Sequence, residues 1–226
     1  MSVCLLGACR VDGRVDLGVR ADGSGLVAVT VTLDRDAVAE IGDLTSRLRI
    51  ADLEAAGWDL EGPVEIDDGA WRVRATKAFV SVARAEAVLA EVGPPVAGLQ
   101  LRRARQVFRT TTEVHGTLDL TAGLAAFSDA ELAGHLGGLP FGVDEAELER
   151  RFGVPPADAV GLEVVVQLPG EDPPATLTPR VGDRVDVALT SSRLNRVNIV
   201  FAIVSLLLAA AFVATFPRPR WRRPSP

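Results

Sequence analysis

The apolar positions near the start of the chain alternate with polar ones. Val11, Val15, Leu17 and Val19 form one such run, and Leu26, Val27, Val29, Val31 and Leu33 form the next. Ala21-Asp22-Gly23-Ser24-Gly25 separates them. Period-two runs joined by Asp, Gly and Ser predict a β-hairpin. Asp34 then stands where a helix N-cap belongs, with Ala37, Val38 and Ile41 on one face. A second helical run through Leu44, Leu48, Ile50, Leu53 and Ala56 stops at Gly57. The pattern recurs: strands over Trp58–Ile66 and Trp71–Lys77 meet at Asp67-Asp68-Gly69, and Ser81 caps a helix stopped by Gly93-Pro94-Pro95. Two hairpin–helix units are thus expected at about 10–57 and 58–95.

Beyond them lies an extended region, Leu99–Leu120, rich in Val, Thr and Phe. Short helices are predicted over Ser128–Leu136 and Asp144–Phe152. Strands Leu162–Leu168 and Val181–Leu189, separated by a Pro-rich loop, close the domain. The fold class expected is α+β, an antiparallel sheet built from hairpin–helix units with helices on one face.

The pattern changes abruptly at Val197. From there to Phe216 the chain reads VNIVFAIVSLLLAAAFVATF, without one charge. At ~1.5 Å per residue that length crosses a hydrocarbon core of about 30 Å, so a C-terminal transmembrane helix is expected. Arg218, Arg220, Arg222 and Arg223 follow it at once, with Trp221 among them; Arg193 and Arg196 precede it. The positive-inside bias then puts the tail in the cytoplasm and the main domain outside. A tail-anchored arrangement with a cytoplasmic domain would send those four Arg across the membrane.

At the other end, Leu6-Gly7-Ala8-Cys9 is similar to a lipobox, in which small residues precede a Cys that becomes acylated. Only eight residues precede Cys9, fewer than a charged region plus an apolar core of a signal requires. We expect a signal remnant over 1–9, with Cys9 the lipidation site, unless Cys9 simply opens the first strand. The expected organisation is signal remnant 1–9, extracytoplasmic domain 10–190, juxtamembrane linker 191–196, transmembrane helix 197–216 and cytoplasmic tail 217–226.

Composition narrows the function. The 226 residues carry 24 Lys and Arg against 30 Asp and Glu. All the acids lie at or before Asp186, whereas six Arg follow it, leaving 18 bases in the main domain and a local charge of −12. An acidic domain lacks the basic face that nucleic acid requires, so no nucleic-acid partner is expected. Two Cys and two His give neither a disulfide framework nor a multi-His metal centre. No Ser sits in a G-x-S-x-G elbow, and His115 and His135 stand 20 residues apart without ligand-spaced partners. Neither a catalytic residue, a metal nor a cofactor is expected. The acids at Asp67/Asp68 and Asp144/Glu145/Glu147/Glu149 are explained by a turn and a helix start.

One local feature stands out in this acidic domain: Arg102, Arg103, Arg105 and Arg109. On a single strand Arg103, Arg105 and Arg109 share a face by parity. Guanidinium forks suit phosphate or carboxylate oxygens, making these three the candidate ligands of an anionic head group. The alternative is a solvated strand face paired with acids on its neighbours.

Several pieces resemble the LppM-like membrane lipoproteins of actinobacteria. They are Cys9-Arg10-Val11 followed by Val15–Val19, Asp22-Gly23-Ser24-Gly25, Ala56-Gly57-Trp58 and Thr76-Lys77-Ala78-Phe79. Gly116-Thr117-Leu118-Asp119-Leu120 and Leu168-Pro169-Gly170 complete the set. The resemblance covers most of the 10–190 domain and assigns no ligand residue. It implies an extracytoplasmic α+β domain without enzymatic chemistry that binds polar lipids or glycolipids of the cell envelope. The expected function is accordingly that of a non-enzymatic, membrane-anchored, lipid-binding protein with an apolar groove. A protein-interaction or scaffold module at the membrane surface is the alternative. An enzyme would require a concave cluster of perturbed groups, for instance around His115 and the Arg row.

Overall fold

The computed structural model describes residues 10–41, 50–127, 149–150 and 155–215. Cys9 and the lipobox, His135, the helix expected over 128–136, nearly all of that over 144–152 and the basic tail lie outside the described residues.

The first hairpin forms as the alternation requires. Strands β1 (Val11–Val19) and β2 (Gly25–Leu33) pair antiparallel from Val11↔Leu33 to Val19↔Gly25. Asp22 holds the turn by accepting from Ser24 N–H at 2.9 Å and Ser24 Oγ–H at 2.7 Å. Asp34 caps helix α1 (Arg35–Ile41): its Oδ1 accepts from Ala37 N–H at 2.7 Å. A short helix α2 (Ile50–Ala55) leads into β3 (Asp59–Glu65) and β4 (Trp71–Phe79), which meet at a 3-10 turn over Asp67–Gly69. Helix α3 (Val82–Val92) starts where Ser81 Oγ accepts from Arg84 N–H and ends at Gly93, whose φ of 85° suits glycine. Its Ala85, Val88 and Leu89 are buried.

The expected single antiparallel sheet is not what forms. Strand β7 (Val160–Gln167), which follows the short helix α4 (Pro156–Ala159), pairs parallel to β1, giving a mixed sheet of order β3-β4-β2-β1-β7-β8, with β8 at Ala175–Leu177. The region Leu99–Leu120 splits into β5 (Gln100–Arg105) and β6 (Arg109–Asp119), which join β9 (Arg184–Leu194) in a second, antiparallel sheet. The domain is therefore α+β with two sheets. Hairpins exhaust only one edge of β1, and its other edge is closed by a strand from the far end of the domain. Val164, Val165 and Val166 are all buried, the continuous apolar run of a strand covered on both faces.

The core lies between the sheets. Leu17, Val27, Val164 and Val166 of the first meet Leu101, Val114 and Leu118 of the second, with Ala85 and Leu89 of α3 in the same cluster. Each fully buried Leu or Val contributes about 1.5–3 kcal/mol. β3 takes the sheet edge, where Pro63 and a register shift between Glu61 and Val64 are tolerated.

Helix α5 runs unbroken over Arg196–Thr215, directly after β9. Its large apolar side chains are exposed on every side, among them Phe201, Val204, Leu207 and Leu208. Among the described residues no helix is long and apolar enough to cross a membrane; the side chains of α5 are described only as far as Phe212.

A cationic cavity at the end of the second sheet

The face of the second sheet that packs on the core changes character along its strands. One cross-strand row is Leu101–Val114–Leu189, the next Arg103–Thr112–Ser191, and the last Arg105–Thr110–Arg193. The same pleat that buries the first row carries the polar rows past the end of the apolar core.

The middle row seals that end. Thr112 and Ser191 are each only 2% exposed, and Ser191 Oγ–H donates to Pro169 O at 2.5 Å, fixing the loop after β7. Arg103 Nη2 donates to Ala21 O at 2.7 Å and so pins the β1–β2 turn, while its Nε is buried without a hydrogen-bond partner among the described residues. Gly170 lies against Arg193, where a Cβ would come within 3.1 Å of the Arg193 side chain.

The outer row opens a cavity of about 240 Å³ lined by Arg105, Arg193, Thr110, Thr112, Ser191, Asn195 and the backbone around Ala21 and Pro169. Among the described residues no carboxylate lies within ion-pair distance of Arg105 or Arg193, and two guanidinium forks in one cavity suit the oxygens of an anion. The volume suits a single phosphate-bearing head group and is below that of a drug-sized ligand site.

Arg109 does not belong with the other two. A turn at 106–108 places it on β6, and its parity, shared with Thr111 and Glu113, puts it on the opposite face from Arg105 and Thr110. A face shared by all three would need one uninterrupted strand, and the turn at 106–108 breaks it. Arg102 is likewise opposite, cross-strand from Glu113. Thr110, Thr112, Ser191 and Arg193 were missed as site residues. Their signal was present in the continuation of Val185, Val187 and Leu189 by the polar Ser191 and Arg193 at the same period.

The remaining candidates are dispersed. His115 sits on the far face of β6, its Nε2 3.1 Å from Gln100 Oε1, and does not meet the Arg105–Arg193 pair. Among the described residues no three His, Cys, Asp or Glu gather as a metal site. A larger cavity, about 740 Å³, lies along the outer side of β1 and β7. Two of its three lining cations are paired with acids: Arg10 with Asp12 at 2.9 Å, and Arg14 with Asp16 at 2.9 Å and Glu163 at 3.1 Å; the third, Arg180, has no carboxylate within ion-pair distance among the described residues. The hydrogen bond that Arg14 donates to Asp16 is the largest cause holding the Arg14 guanidinium above its ordinary pKa. Neither of these two cavities is a wholly apolar groove for acyl chains, as each mixes charged and polar side chains with apolar ones such as Leu162 in the larger and Leu194 in the smaller.

No family model matches the chain, and no curated protein does. Among solved structures the chain is similar to the folded domain of Mycobacterium tuberculosis LppM, at 12% sequence identity and a TM-score of 0.41. The match spans 86% of this chain and 95% of that one. It is a distant likeness of fold, and the functional reading below rests on this chain's own residues.

Proposed function

We propose that this is a non-enzymatic, membrane-anchored envelope protein whose extracytoplasmic domain binds the anionic head group of a polar lipid or glycolipid. The observation that carries the reading is that Arg105 and Arg193, which have no acid partner among the described residues, line one cavity beside the start of α5. On this reading the charge-free sequence 197–216 spans the bilayer, and the exposed apolar side chains of α5 find their solvent in lipid. The four Arg of the tail orient it with the domain outside. Cys9 adds a second anchor if acylated. The acyl chains of the ligand stay in the bilayer, which is why a polar cavity suffices and the apolar groove expected from the sequence is not needed.

The test uses the full chain in neutral phosphatidylcholine nanodiscs, titrated with water-soluble dibutanoyl phosphatidylinositol and with dibutanoyl phosphatidylcholine. The anionic probe is expected to bind, and Arg105→Ala with Arg193→Ala to weaken it at least about tenfold, since each charge-assisted hydrogen bond is worth about 1.5–3 kcal/mol. Arg109→Ala should change it by less than about twofold. Equal binding of both probes, or a double variant that binds as the parent does, sinks the reading.

A further inference from the structure

The turn between β5 and β6 is built against the usual preference for polar tips. Val107 is 66% exposed and Phe108 47%. Two hydrogen bonds lash this tip to the first turn of α5: Asn195 N–H donates to Phe108 O at 2.8 Å, and Asn198 Nδ2 donates to Val107 O at 2.6 Å across 91 residues of sequence. Leu194 and Val197, at the junction of β9 and α5, are 60% and 62% exposed. Tip and junction are thus held together, and each exposes apolar side chains. Arg105, Arg109, Arg193 and Arg196 flank them, and no acid occurs between Gln106 and Thr112 or after Asp186.

We propose that the β5–β6 tip is a second membrane contact, inserting Val107 and Phe108 at the boundary between head groups and acyl chains of the leaflet that α5 enters. The inference rests on the reading of α5 as a membrane span. The chemistry fits that one occupant. Apolar side chains at the tip match the acyl boundary, and a cationic collar just behind them matches lipid phosphates. Because the tip is bonded to α5, wherever the helix enters the bilayer the tip enters beside it. The domain is then docked at two points and cannot swing freely about its linker. The mouth of the Arg105–Arg193 cavity, bordered by Leu194 and Asn195, comes to lie at phosphate level. Arg184, at the other end of the 11-residue β9, lies about 33 Å along the strand from Leu194.

The experiment reads depth. In a Cys4→Ser, Cys9→Ser background of the full chain, an environment-sensitive fluorophore is attached through Phe108→Cys, Ile203→Cys or Arg184→Cys. Each protein is reconstituted into phosphatidylcholine–phosphatidylglycerol vesicles carrying nitroxides at the head group or along the acyl chain. Val107→Cys provides a second tip position should loss of Phe108 disturb the turn. We expect position 203 to be quenched best by the deep nitroxide and the tip best by the shallow one, at least about twofold above position 184. Quenching at 203 with the tip positions no different from 184 overturns the inference and leaves the span standing. Position 203 unquenched at every depth overturns the span, and the inference with it.

Discussion

Lys77 and Glu91 meet at 2.5 Å between Nζ and Oε2, joining the last turn of α3 to the core face of β4. The lysine is the only one in the chain, and its side chain is 17% exposed. It also donates to Ala56 O at 2.6 Å and lies 5.7 Å from the centre of the Trp58 ring, whose Nε1–H donates to the same Glu91 oxygen. One side chain therefore ties α3, β4 and the segment before β3 together. Removing it leaves a carboxylate with a single donor and a carbonyl with none. Lys77→Met is expected to destabilise by about 1–3 kcal/mol, read as a lower urea midpoint at unchanged slope. A cycle with Glu91→Gln should show coupling of at least about 0.5 kcal/mol, and strict additivity would show that the pair is incidental.

The buried hydroxyl of Ser191 makes a separate prediction. Ser191→Ala leaves Pro169 O without its donor and frees the loop that walls the cationic cavity. We expect a loss of about 1–2 kcal/mol in stability and a weakened head-group probe, although Ser191 carries no charge. Unchanged binding in a measurably destabilised variant would show that the loop does not position the site.

Acid should loosen two turns together. Asp22 is held below the ordinary carboxylate pKa first by the side-chain hydrogen bond from Ser24 and then by the backbone bond from Ser24. Asp119 is lowered in the same way by the side chain and backbone of Thr121. A carboxylate with a depressed folded pKa stabilises fully above its unfolded value, about 3.9, and loses that contribution as pH falls through the folded value. The melting temperature is therefore expected to be insensitive to these groups above about pH 5 and to fall below about pH 4. Asp119→Asn should lower stability at neutral pH and flatten that acid limb. A variant with the same acid limb as the parent would show that the turn contributes nothing.

Topology can be tested on intact cells. Protease added outside should digest the domain over 10–190 while a tag placed after Pro226 stays protected, because the Arg-rich tail resists translocation. Mass analysis of the N-terminus should find acylated Cys9. Protection of the domain, with residues 1–9 intact and unmodified, would reverse the orientation and remove the second anchor.

Much of the fold was legible in the sequence because its signals are local. Period-two runs, the Asp22–Ser24 turn, the Asp34 and Ser81 caps and the stop at Gly93 each depend on neighbours within a few residues, and each formed where expected. The charge-free stretch after Arg196 likewise dictates a helix with apolar side chains all round. Partnership across the chain was not legible in this way. The parallel pairing of β1 with β7, the break that sends Arg109 to the far face, and the meeting of Arg105 with Arg193 all join residues far apart in sequence. Strand register is decided by which faces find cover, and that is a property of the assembled sheets. The sequence by itself determined the first hairpin, the β3–β4 strands, the helix caps and the stop at Gly93, through backbone preference and hydrophobic period. Strand β8, inside the stretch read as a Pro-rich loop, forms only because β7 offers it an edge. Only the tertiary structure decided which cations meet acids and brought Arg105 and Arg193, 88 residues apart, to one cavity beside an apolar helix, because strand pairing depends on which faces and edges find cover.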